Sequence, residues 1–175
     1  MEFKLRPWRI EDLEDVARAA DNPRIRANMS DEFPDSAEKW AKFLAAVVDN
    51  ERILYRAVEI DGRVGGAIGI GPQTGVHRRN AELGYWLAEE FWGRGIITAA
   101  IREIVALGFA AFDIDRIFAR PFESNAGSHR ALEKAGFRLE ARFEKTIVKD
   151  GALLDELVYA VRRPAKPERN ERSGE

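Results

Sequence analysis

Phe91-Trp92-Gly93-Arg94-Gly95-Ile96-Ile97-Thr98 is the segment on which the architecture of this chain turns. It stands between an alternating stretch, Ala81 to Leu87, and a long run with apolar residues at helical spacing, Thr98 to Phe112. Two glycines one residue apart let the backbone turn sharply and come close to a ligand. A helix starting there offers N–H groups without intrahelical partners and the positive end of its dipole. The segment therefore reads as an anion cradle with phosphate as its natural occupant, beside the plainer reading of a tight turn whose glycines serve geometry alone. No Gly-Lys-Ser/Thr ending follows, and Thr98 holds the place of a third Rossmann glycine, so a P-loop is excluded and a dinucleotide is disfavoured.

On the amino-terminal side, Phe3 to Pro7 predicts a short edge strand and Ile10 to Ala20 a helix, followed by a loop through Asn22-Pro23. A second helix opens at Asp35 or Ser36, with Glu38 placed as in a capping box, and carries Trp40, Phe43, Leu44, Val47 and Val48 on one stripe. Ile53 to Ile60 and Arg63 to Ile70 flank Asp61-Gly62, a hairpin signal, and a third strand runs from Arg79 to Leu87. On the carboxyl side, Arg116 to Pro121 predicts a strand and Ser128 to Ala135 a short helix ended by Gly136. Phe137 to Val148 and Leu153 to Val161 then form a hairpin about Asp150-Gly151. The order is mixed α/β. Residues 1–162 are expected to form one domain, and the charged, proline-containing stretch Arg163 to Glu175 a disordered tail.

With 175 residues, 45% apolar and 33% charged, the chain is long enough to bury a substantial core. A net charge of −2 with dispersed Lys and Arg provides no basic field, which argues against nucleic acid as a ligand. Cysteine is absent, so disulfides, thiolate metal sites and a cysteine nucleophile are excluded together. No His and carboxylate cluster indicates a metal. The charged amino end and the lack of any apolar run of membrane-spanning length predict a soluble, unexported chain with no membrane partner, suited to a reducing cytoplasm.

Five motifs follow one another along the chain: Leu5-Arg6-Pro7-Trp8 with Asp12; Glu82-Leu83-Gly84-Tyr85-Trp86-Leu87; Trp92-Gly93-Arg94-Gly95; Asn125-Ala126-Gly127-Ser128; and Glu133-Lys134-Ala135-Gly136-Phe137. In this order and spacing, together with the terminal hairpin, they resemble the GCN5-related N-acetyltransferases (GNAT), particularly the RimJ/RimL-type branch that acetylates the amino termini of ribosomal proteins. The resemblance implies the GNAT fold, a mixed and mostly antiparallel sheet of about seven strands flanked by about four helices. It also implies an acetyl-CoA site in which the amides of Gly93, Arg94, Gly95, Ile96, Ile97 and Thr98 hold the pyrophosphate and the strand near Leu87 pairs with the pantetheine. Arg94 adds a charge-assisted contact and Thr98 a hydroxyl. One departure is Glu90, three residues before Gly93, where the family usually has Gln or Arg; a carboxylate there weakens cofactor binding modestly, because exposed charge is screened.

Amide formation from a thioester needs a neutral amine, a polarised carbonyl and a proton for the departing thiolate. With no cysteine, direct transfer in a ternary complex is simpler than ping-pong, and alignment of the reactants supplies its largest contribution. Strand alternation sets Glu82, Gly84 and Trp86 on one face, with Gly84 leaving space beside the carboxylate, which makes Glu82 the candidate base acting through one water. The plain alternative is a solvated strand glutamate. Many family members carry a tyrosine as the acid where this chain has Leu132; Ser128, three residues after Asn125, resembles the serine that the ribosomal-protein branch carries there, which implies a donor to the thiolate or a cofactor contact, alongside a role as helix cap. The resemblance gives Asn125 a hydrogen bond to the pantetheine arm. A further glutamate used by some relatives has no counterpart, the aligned place falling near Ile147.

By the same analogy, Met29 and Phe33 on one loop and His77 on another border the acceptor mouth, with Trp86 lining the channel, although His77 reads first as a solvated loop residue. The expected acceptor is a peptide or protein N-terminus or a small-molecule amine, and a homodimer is consistent with the family's habits. The alternative is a non-catalytic CoA-binding regulatory module, motivated by Leu132 and Glu90.

Overall fold

The structure is a computed structural model, and it describes residues 2–164. Seven strands form one sheet in the order β1-β2-β3-β4-β5-β7-β6. They are β1 (Phe3–Arg6), β2 (Leu54–Ile60), β3 (Arg63–Pro72), β4 (Asn80–Leu87), β5 (Arg116–Ala119), β6 (Arg138–Lys149) and β7 (Ala152–Arg162). Every neighbouring pair is antiparallel except β4 and β5. That parallel pair requires a crossover, which the long helix between the two strands supplies.

The sheet is covered on both faces. One layer holds α4 (Ile96–Ala111) and α5 (Ala126–Lys134), whose Ile101, Ile104, Ala131 and Leu132 pack with Ile68, Ile70, Leu83 and Leu87. The other holds α1 (Leu13–Ala20) and α3 (Ala37–Val47), with Val16, Trp40 and Leu44 against Ala57, Ala67 and Trp86. Side chains such as Ile101 and Ile104, both fully buried, each contribute roughly 1.5–3 kcal/mol from removal of apolar area from water. Because successive residues of β4 face opposite layers, Glu82 and Trp86 look toward α1 and α3 while Leu83, Tyr85 and Leu87 look toward α4 and α5.

Both expected hairpin turns form through left-handed pairs, Asp61 with Gly62 at φ 48° and 84° and Asp150 with Gly151 at φ 49° and 78°. Arg6, an element of the first motif, has a structural explanation. Its guanidinium donates to both carboxylate oxygens of Asp12, at 2.8 and 2.7 Å, and also to Glu59, so three ionised groups that are each at most 9% exposed satisfy one another.

Among the differences from the expected boundaries, three have a local cause at a cap. The Asn22-Pro23 loop contains a helical turn, α2 (Pro23–Arg26), because Asn22 accepts a hydrogen bond from Arg24 N at 2.8 Å and proline suits the first helical position. Helix α4 begins at Ile96, two residues before Thr98, because left-handed Gly95 already serves as its cap. Helix α5 begins at Ala126, and its cap is Asn125 rather than Ser128: Asn125 Oδ1 accepts from Ser128 N at 3.1 Å. At the expected tail, Arg163 is tied by 2.8 Å hydrogen bonds to the carbonyls of Ile114 and Phe112. Residues 165–175 lie outside the described residues, and so does most of the expected tail.

Candidate functional site

Strand β4 is paired with β5 only from Asn80 to Glu82, opposite Arg116 to Phe118. From Leu83 onward β5 no longer accompanies β4, and a wedge opens between them. The glycine turn and the amino end of α5 meet across that wedge, around a cavity of about 430 Å³. Gly93 and Gly95 sit at φ 73° and 79°, in the left-handed region that favours glycine, and no side chain caps the first turn of α4. A Cβ at either glycine would meet nothing within 4 Å, so the turn leaves its backbone open to a visitor. The indole N–H of Trp92 donates to the carbonyl of Leu87 at 2.7 Å, fastening the turn to the strand.

Of the expected cofactor residues, Leu87, Gly93, Gly95, Ile96, Ile97, Asn125 and Ser128 line the cavity; Arg94 and Thr98 are not among its lining residues. On the acceptor side, Met29 and Trp86 line it, whereas Phe33 stands behind, edge-on to Trp86 with ring centroids 5.9 Å apart. His77 is exposed, in a turn of 3-10 helix (Gly75–His77) away from the cavity. Glu90 is exposed and borders a separate recess beside Arg18, Arg63 and Phe91.

Glu82 does not line the cavity. It sits at the last rung shared by β4 and β5, where Arg120 Nε donates to its Oε1 at 2.9 Å and Nη2 approaches Oε2 at 3.4 Å. Arg120 also stands 3.7 Å from Glu156. These two carboxylates raise the affinity of Arg120 for its proton, the hydrogen bond with Glu82 being the larger cause. Arg120 thus orients the Glu82 carboxylate at the last rung before the wedge.

Two residues escaped the sequence reading. Arg120 follows β5 directly and gives no signal of its own. Tyr85 lies within the second motif and points to the opposite face from Glu82, into the cavity, where its hydroxyl is hydrogen-bonded to Ser128 Oγ. Burial pushes the Tyr85 phenol up to about 12. Leu132, for which the family resemblance implies the place of a tyrosine, is fully buried in the core and does not line the cavity.

At the mouth, Arg24 of α2 is ion-paired with Glu89, which also accepts from Asn22 at 2.8 Å, and its guanidinium lies over the Trp92 ring, 5.2 Å from the centroid. Among the described residues no group of three His, Asp or Glu side chains is arranged to hold a metal, and no helix is long and apolar enough to cross a membrane.

An anionic, elongated cofactor suits these residues: amide donors and open glycines at one end, and apolar Leu87, Ile97 and the Tyr85 ring leading to a pair of hydroxyls at the other.

The chain is similar to known acetyltransferases. The uncharacterized N-acetyltransferase YoaA of Bacillus subtilis is 35% identical over 99 residues, 57% of this chain and 55% of that protein. The chain thus spans about half the length of the first curated relatives it matches. The structure of Mycobacterium smegmatis RimJ in complex with CoA-disulfide superposes with a TM-score of 0.80 at 29% identity, covering 91% of this chain and 81% of that one. RimL, a ribosomal L7/L12 alpha-N-protein acetyltransferase in complex with coenzyme A, shares the fold at a TM-score of 0.82 and 17% identity, over 91% of this chain and 93% of that one. The acetyltransferase (GNAT) domain family matches residues 2–138, and the chain belongs to the GNAT acetyltransferase family.

Proposed function

We propose that the protein is an acetyl-CoA-dependent N-acetyltransferase that passes its acetyl group directly to a primary amine, at a protein or peptide N-terminus or on a small molecule, within a ternary complex. The observation that carries this reading is the meeting of the glycine turn and the Asn125 to Ser128 segment around one cavity where β4 and β5 part. Acetyl-CoA supplies a thioester whose C–S bond breaks as the amine nitrogen forms the new C–N bond, the electron pair leaving on sulfur.

The amides of Gly95 to Thr98, at the positive end of the α4 dipole, hold the diphosphate, and the unaccompanied flank of β4 orients the pantetheine arm. Glu82 accepts the proton of the attacking amine through a water, and the Ser128 hydroxyl donates a hydrogen bond to the departing sulfur. Trp86 and Met29 shape the acceptor end of the cavity. An α-amine with pKa about 8 is roughly a tenth neutral at pH 7, against less than about a thousandth for a lysine side chain, so an α-amine asks less of one carboxylate.

Thiol release from acetyl-CoA across a panel of peptides with free N-termini and of small amines tests this reading, together with calorimetry of coenzyme A binding. Saturable binding and acceptor-dependent thiol release are expected. Well-folded protein that gives no heat with coenzyme A and no thiol with any acceptor would overturn it.

A further inference from the structure

Resting on the reading above, we propose that Tyr85 is the positioning residue for the sulfur end of the site: it donates its phenolic proton to Ser128 Oγ and thereby aims the serine's own proton at the thiolate. The two side chains come from elements 43 residues apart in sequence, meet by a hydrogen bond between their hydroxyls, and line the same cavity as the glycine turn.

The direction of the bond follows from the chemistry of the partners. A phenol is a stronger acid than an alkyl hydroxyl and is the better donor, while the serine oxygen has lone pairs to accept and one hydrogen left to give. The tyrosine ring is packed against the α4 and α5 layer, so its hydroxyl is held on a rigid strand rather than on a loop. Asn125 restrains the partner from the other side by accepting the Ser128 backbone N–H at 3.1 Å. Ser128 is thus fixed at its backbone by Asn125 and at its hydroxyl by Tyr85.

The phenol does not surrender its proton. Its elevated pKa, near 12, lies well above that of an ordinary thiol, about 8.5, so full transfer toward sulfur would run uphill. Tyr85 therefore acts as a neutral donor that strengthens Ser128 as a donor, since hydrogen bonds in a chain polarise one another. Strand β4 then divides the labour between its faces. Glu82, at the last rung shared with β5, serves the nitrogen from one side of the sheet, and Tyr85, just beyond that rung, serves the sulfur from the other.

The test uses coenzyme A itself as probe and needs no acceptor. The thiol of enzyme-bound coenzyme A is titrated by the ultraviolet absorbance of its thiolate in the full-length protein and in Tyr85→Phe, Ser128→Ala and the double variant, with affinity followed by calorimetry. In the unsubstituted protein the bound thiol is expected to titrate below its free value. Tyr85→Phe should move that midpoint up by about one pH unit, roughly the loss of one hydrogen bond, while the dissociation constant measured below the midpoint changes by less than about twofold. Ser128→Ala should move it at least as far, and the double variant no further than Ser128→Ala, because Tyr85 acts through the serine. A midpoint unmoved by Tyr85→Phe, or shifts that simply add in the double variant, would overturn the role of Tyr85 while leaving the acetyltransferase reading in place. No binding of coenzyme A at all would remove both.

Discussion

Arg120 reaches across the final rung of the β4 and β5 pair to place its Nε 2.9 Å from Glu82 Oε1. A carboxylate held this way keeps its orientation without being sealed from solvent, since the two side chains are 47% and 38% exposed. Glu82→Gln is expected to lower kcat by about 10²-fold while the affinity for coenzyme A is retained, because the substitution removes a proton acceptor and keeps its shape. Arg120→Gln should reduce kcat by a smaller factor, about tenfold, by letting the carboxylate swing. Steady-state rates with the best acceptor of the panel check both, and unchanged turnover in Glu82→Gln would take this residue out of the reaction.

The glycine turn makes a sharper prediction about binding. At φ 79°, an alanine replacing Gly95 would pay roughly 1–2 kcal/mol for the left-handed conformation, and its Cβ would stand in the open space above the turn. Gly95→Ala should therefore weaken coenzyme A binding about tenfold or more by calorimetry and lower Tm by about 2–4 °C for each kcal/mol lost. Wild-type affinity in this variant would mean that the turn does not approach the ligand.

Arg6, Asp12 and Glu59 form a cluster in which the cation is shared by two buried carboxylates. Replacing Arg6 with Met leaves the buried Asp12 without its bidentate partner and Glu59 with Lys4 alone, and is expected to cost about 3–5 kcal/mol in urea unfolding. A loss below about 1 kcal/mol would show that the cluster contributes little.

The same cluster sets an acid limit. Hydrogen bonds from Lys4, first, and from Arg6 hold Glu59 at about 2, below its ordinary 4.5. A depressed carboxylate stabilises the fold above its unfolded value and loses that contribution as pH falls. Between pH 4.5 and 2 the wild-type Tm should decline more steeply than that of Glu59→Gln; parallel curves from thermal scans would remove Glu59 as a source of acid sensitivity.

Leu132 shows how a position can change office. Family resemblance marks it as the place of an acid, yet here it is a fully buried core residue of α5, among Leu83, Leu87 and Phe137. Leu132→Ala should cost about 2–5 kcal/mol of stability through the cavity it leaves, measured by urea titration. A loss below about 1 kcal/mol would contradict that packing role.

Much of the architecture was legible because its signals are local. Gly93 and Gly95 announce a left-handed turn, Asp61-Gly62 and Asp150-Gly151 announce hairpins, and apolar spacing marks the core face of α4, all within a few residues along the chain. Boundaries slipped by two residues where a cap could be satisfied by more than one side chain, as at Asn125 and Ser128. The turn of α2 was missed because Asn22-Pro23 signals a loop and a helix start equally well.

The open flank of β4 was implied by family resemblance, but its partners at the site were beyond reach. Tyr85 meets Ser128 across 43 positions, and Arg120 meets Glu82 across 38. Periodicity can say which face of a strand a residue occupies; it cannot say which hydroxyl or guanidinium will be waiting there. That follows from the order of strands in the sheet and from where β5 stops accompanying β4, both of which are settled by packing of the two helical layers against the sheet rather than by any short run of residues.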